Sequence, residues 1–90
     1  MPEYVIERDI PGIGRASAEK LKDGAEASCA ALREVGPGIQ WVHSYVTDDK
    51  FYCIFRAQNE DQVRAHAEKA GVPADRISPV RGMLDPTAAE

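Results

Sequence analysis

The stretch Gln40 to Arg56, QWVHSYVTDDKFYCIFR, alternates in two runs separated by Asp48-Asp49. Taken as the two-residue loop of a hairpin, this acidic pair sets Val46 opposite Phe51, Ser44 opposite Cys53 and Val42 opposite Phe55. Side chains alternate along a strand, and cross-strand partners share a face. The register therefore predicts a core face of Val42, Ser44, Val46, Phe51, Cys53 and Phe55. The other face carries Trp41, His43, Tyr45, Tyr52, Ile54 and Arg56, large side chains with mostly polar tips. A second face of that kind points to a site or a subunit interface.

The remaining pattern supplies the other elements. Tyr4, Ile6 and Arg8 alternate with Glu3, Val5 and Glu7, which predicts a first strand over Glu3 to Ile10, broken by Pro11-Gly12-Ile13-Gly14. Ser17 is an N-cap candidate, although Lys20 stands where a capping-box Glu would sit. From Ala18, a stripe of Leu21, Ala25, Ser28, Cys29, Leu32 and Val35 predicts a helix, stopped by Gly36-Pro37-Gly38. Asn59 caps a second predicted helix whose stripe is Val63, Ala67 and Ala70, with Gly71 as its stop. Arg76 to Met83 reads as a last strand, placed at a sheet edge by Pro79. The order is that of a ferredoxin-like split βαβ plan, βαββαβ, an α+β class with both helices on one face of an antiparallel sheet. Residues 1–84 are expected to form one domain and residues 85–90 a frayed polar tail. The uncovered aromatic face predicts a sheet-to-sheet homodimer with two-fold symmetry.

Composition narrows the function. The 90 residues are 43% hydrophobic and 29% charged, ordinary for a globular domain with a modest core. A net charge of −4 argues against a nucleic-acid partner, which needs clustered Lys and Arg. No apolar stretch is long enough to span a bilayer, and the early acids of MPEYVIERD lack a basic leader, so no membrane partner and a cytoplasmic location are expected. Cys29 and Cys53 form no zinc spacing and read as reduced, buried thiols.

Among candidate chemical groups, His43 lies mid-strand on the non-core face, and Glu7 shares that face two strands away. Imidazole and carboxylate are suitable donors for a borderline divalent ion. His66 flanks the stripe of the second helix, at the predicted boundary with solvent, with no carboxylate one turn away to complete a chelate. Asp48 and Asp49 suit a turn for backbone reasons, and Asp49 can add an oxygen ligand. Arg56 shares the face of His43 and is placed to pair Glu7 or a partner's carboxylate. Gly12-Ile13-Gly14 lacks the third glycine and the parallel unit of a dinucleotide site.

The segments YVIERDIPG (Tyr4 to Gly12), QWVHSYVTDDKFYC (Gln40 to Cys53) and VRAHAEKAG (Val63 to Gly71) resemble a family of small ferredoxin-like proteins whose members are described as nickel-binding. The resemblance implies a dimer of split βαβ subunits with metal sites built from His and carboxylate groups. The residues here that fit that chemistry are His43, His66, Glu7 and Asp49. Two histidines per chain make no closed cage, so such sites would be open and would suit sequestration of the ion better than catalysis. Two other readings stand beside this one. The first is a cofactor-free small-molecule enzyme of the dimeric α+β barrel type, with His43 as general base and Tyr45 or Tyr52 as orienting donor. It needs a closed pocket of at least roughly 300 Å³ between the sheets. The second is a plain dimerisation module.

Overall fold

Alternation along β1 (Glu3–Asp9) sends Tyr4, Ile6 and Arg8 to one side of the sheet, and the computed structural model, which describes residues 1–90, buries all three. The elements follow as α1 (Ala18–Val35), β2 (Ile39–Val46), β3 (Lys50–Ala57), α2 (Glu60–Ala70) and β4 (Arg76–Pro79). The four strands make one antiparallel sheet in the order β2-β3-β1-β4. This is the ferredoxin-like βαββαβ arrangement that the sequence pattern predicts. α1 and α2 pack against each other, α1 towards β2 and α2 over β3. The core between sheet and helices is Tyr4, Ile6, Cys53, Phe55, Ala57 and Val63, with Leu32, Ile39, Trp41, Phe51 and Ile77 against it.

The caps are those read from the chain. The Ser17 hydroxyl accepts from the Lys20 backbone N–H at 3.1 Å, and the Asn59 side chain accepts from Gln62 N–H at 3.0 Å. Each thus satisfies one of the orphan donors of a first helical turn. Gly71 closes α2 in the left-handed conformation, φ 71°, where a side chain would be strained.

Three expectations need correction. First, the hairpin register holds from Val46–Phe51 to His43–Ile54 and then slips, so that Trp41, not Val42, lies opposite Phe55. Val42 is the extra residue of a β-bulge. Trp41 therefore belongs to the helix-covered face and not to the face of His43. Second, β4 ends at Pro79 rather than Met83. Val80 N–H still donates to Glu3 O at 2.8 Å, but β1 begins at Glu3 and the next carbonyl, that of Pro2, is taken by Ala57 N–H of β3. Third, Cys29 is exposed and the buried position of α1 is Ala31. Cys29 sits one residue past Ser28, about 100° round the helix, on the flank turned away from the packing face. β4 is an edge strand, as Pro79 implies. Beyond it residues 81–90 are exposed, and Pro86–Ala89 form a short 3-10 helix started by Asp85, whose carboxylate accepts from Thr87. No helix is long and apolar enough to cross a membrane.

Candidate functional site

The helix-free face of the sheet is organised in cross-strand rows. One row runs Tyr45, Tyr52, Glu7, Arg76, and the next runs His43, Ile54, Val5, Ser78. His43 is exposed, and its ring stands edge-on to Tyr45, with centroids 5.0 Å apart and planes at 75°. Neither of its nitrogens has a hydrogen-bond partner within the chain, so the acceptor nitrogen of the neutral ring is open to a ligand. Glu7 lies two strands away and one row along, where Lys50 (3.7 Å) and Arg76 (3.9 Å) approach its carboxylate. Lys50 also pairs with Asp9 at 3.3 Å, and the Asp9 carboxylate raises its ammonium above the usual lysine value. Arg56 pairs with Glu3 at 3.3 Å rather than with Glu7, because the register sets Glu3 directly opposite it.

Asp49 serves the backbone. Its Oδ1 accepts from the Gly12 N–H at 2.8 Å, while Ile10 N–H and Gly14 N–H donate to the carbonyls of Asp49 and Asp48, both at 2.9 Å. The hairpin tip is thus stitched to the loop leaving β1. Asp49's carboxylate is occupied at the end of the sheet, away from the row of His43.

His66 departs furthest from its expected place. It is only 1% exposed, wedged between α1 and the sheet rather than at the solvent boundary. Its Nε2 lies 3.1 Å from Ser28 Oγ and 3.2 Å from Ser28 O, and its ring centroid is 4.9 Å from that of Phe55. A carbonyl can only accept, so Nε2 carries the ring proton. Nδ1 is then a bare acceptor, and it is buried with no partner. Burial in apolar surroundings lowers the His66 pKa below the ordinary histidine value.

The four candidate metal ligands therefore fall in separate places. His43 and Glu7 share the open face, Asp49 is at the hairpin tip, and His66 is beneath the helices. No three His, Cys, Asp or Glu side chains converge on one point within the chain.

On the other side of the sheet, α1 stands off far enough to leave a cavity of about 350 Å³, lined mainly by apolar side chains such as Leu21, Trp41, Phe51 and Phe55. Arg8, Ser28, Ser44 and His66 are the polar groups among its walls, with Lys20 at its rim. Trp41 Nε1–H donates to Ser44 Oγ at 3.0 Å. The cavity lies on the opposite side of the sheet from His43, Tyr45 and Tyr52, the groups considered for cofactor-free catalysis. Arg8 is legible in the sequence as one of the strand arginines, with Arg56 and Arg81, and the alternation Tyr4, Ile6, Arg8 already puts it on the buried face.

Residues 4–80 match the family described as "Nickel responsive protein SCO4226-like". The chain belongs to this SCO4226-like family. Among solved structures it is similar to SCO4226 from Streptomyces coelicolor A3(2), with a TM-score of 0.74 at 19% identity, over 91% of this chain and 99% of that one. At that identity the likeness establishes the shared fold. No curated protein sequence matches the chain.

Proposed function

We propose that two copies of this chain pair through their helix-free sheet faces and that the pair binds nickel or a similar divalent ion, with His43 as the imidazole donor. The observation that carries this reading is the exposed, unpartnered ring of His43 on an aromatic sheet face, in a chain whose family is described as nickel responsive. Neutral imidazole suits Ni(II), and also Zn(II) and, more tightly, Cu(II), so geometry and metal availability rather than raw affinity decide among them. One chain gathers no three His, Cys, Asp or Glu donors at one point, around His43 or elsewhere. A site there is open, completed by the second copy or by water, and open sites exchange their ion quickly. That property fits buffering of the ion in the cytoplasm.

Of the other candidates, Glu7 is the better placed, since it shares the face, but Lys50 and Arg76 compete for its carboxylate. Asp49 is committed to Gly12. His66 is sealed from the face by the sheet itself.

Calorimetric titration with nickel at pH 7.5, on the wild type, His43→Ala and His66→Ala, tests the assignment. The expected result is loss of at least about tenfold in affinity for His43→Ala, the lower end of what even an outer-shell partner of a metal ligand is worth, with His66→Ala binding as the wild type does. Because ligation needs the deprotonated ring, affinity falls as the solution is acidified. A His43→Ala chain that takes up nickel unchanged ends the assignment.

A further inference from the structure

Arg8 is the one charged side chain on the helix-covered face of the sheet, and it is 3% exposed. Its Nη1 donates to the Pro73 carbonyl at 2.7 Å, and its guanidinium carbon lies 5.9 Å from the centre of the Phe55 ring. No carboxylate lies within ion-pair distance of it, although the chain carries 15 acidic residues and Arg56, Arg64 and Arg76 all have acidic partners. A guanidinium offers five N–H donors in a planar fork, and the protein supplies an acceptor for one side of it. Burying a cation without a counter-charge is costly, and such groups are retained where something else pairs with them. Arg8 forms part of the wall of the 350 Å³ cavity, and so does His66, the only side chain with a buried polar atom that lacks a partner.

We propose that this cavity is a binding site for a small apolar monocarboxylate, its carboxylate held by Arg8 and its body packed among Leu21, Trp41, Phe51 and Phe55. Arg8 is the one buried cation of the cavity, Lys20 being exposed at its rim, and one buried positive charge calls for one negative charge. The planar carboxylate matches the guanidinium fork by two parallel hydrogen bonds. The volume falls in the range of small-ligand pockets, and the apolar walls exclude a compact, fully hydrated anion such as phosphate. The net charge of −4 disfavours anions at large, so selectivity for an acid has to come from the cavity's own cations, Arg8 in the wall and the solvated Lys20 at the rim. The site is separate from the proposed ion site, with the sheet between them.

The test uses Trp41, the one tryptophan of the chain, as a reporter on the cavity wall. Its fluorescence is followed on titration with phenylacetate, phenylacetamide and phenethylamine at pH 7.5 and 0.15 M salt, with calorimetry in parallel. Phenylacetate is expected to saturate and to bind about tenfold or more tightly than the amide and the amine, the scale of a charge-assisted hydrogen bond. Arg8→Met should bring the acid down to the level of the amide. Ala25→Phe, which fills the cavity from α1, should abolish binding of the acid. His43→Ala should leave it unchanged even where it loses nickel. The proposal fails if phenylacetate shows no saturable binding, if the amide or amine binds as tightly as the acid, or if a folded Arg8→Met chain keeps the wild-type affinity. Should Arg8→Met not fold, the ratio of acid to amide on the wild type decides alone.

Discussion

Trp41 stacks on Phe55 across the β2–β3 pair, with ring centroids 6.5 Å apart and planes inclined by 18°. That stack exists because Val42 bulges out of the ladder. Without the bulge, Trp41 and His43 would lie on the same face, as residues two apart in a strand do. With it, the indole joins the core and walls the cavity, while the imidazole stays on the open face. The bulge also interrupts an edge strand, where regular pairing would otherwise invite another chain.

Trp41→Ala removes a large but partly exposed side chain from this stack. A loss of about 2–3 kcal/mol is expected, below the 3–5 kcal/mol of a fully buried aromatic. Urea unfolding followed by circular dichroism measures it. Nickel affinity should not change, because His43 hangs from the other side of the sheet. A joint loss of stability and metal binding would place both rings on one face.

Much of the fold was legible because local signals agreed with one another. Ser17, Asn59 and Gly71 mark helix ends by their own chemistry, and the acidic turn fixes the register of the nearest four ladder pairs. The bulge was not legible. Val42 is a good strand residue, and nothing in its side chain announces that it will be skipped. His66 follows Val63 by three residues, so its helix face was readable. Its depth depends on Ser28 of α1, some forty positions away, and only the packing of α1 on α2 reveals that. Arg8 was readable as core-facing from Tyr4 and Ile6. That it would remain without an acidic partner could be known only once every carboxylate had a place.

Gly14 packs directly against the hairpin tip. A β-carbon built there would lie 2.8 Å from both Asp48 Cα and Thr47 O, and both are backbone atoms that cannot swing aside. Gly14→Ala should therefore cost about 1–3 kcal/mol, the usual penalty of overpacking. It should also loosen the backbone bond that the N–H of this position donates to Asp48 O. The thermal midpoint measures the first effect. Amide hydrogen exchange at Gly12 and at the substituted position measures the second. Gly24→Ala is the control, since its added carbon meets nothing and it lies mid-helix.

Stability should depend on pH through His66. Its folded pKa is lowered, first by desolvation and then by the charge of Arg8, against the partial opposing effect of the Ser28 carbonyl. In the unfolded chain the ring takes a proton more readily than in the folded one. The unfolded state therefore binds more protons between the two pKa values, and unfolding is favoured as pH falls through the unfolded value of about 6.5. Full stability is expected above that pH, with progressive loss below it. Urea midpoints at pH 7.5 and pH 5.5 give the slope, and His66→Gln should flatten it. An equal slope in the variant would mean that other groups govern the acid limb.

Ile54 offers the sharpest test of subunit pairing. It sits in the middle of β3, with His43 on one side and Val5 on the other, and Tyr45 and Tyr52 in the next row complete an apolar, aromatic surface. Surfaces of this kind on a small domain mark interfaces, and a pair related by a two-fold axis would bring the same patch against itself. Ile54→Lys puts a cation in that patch on each copy, so repulsion and desolvation act twice across the axis. Lysine is preferred to glutamate because a new carboxylate beside His43 would be a further metal ligand. The side chain is only partly buried in the single chain, so the fold should persist. Light scattering on the wild type should give about twice the 9.8 kDa of one chain, and on the variant about one chain's mass, with nickel binding weakened in step. A wild type that stays at the single-chain mass at every concentration, with or without nickel, would remove the pairing and leave His43 an open site on one chain.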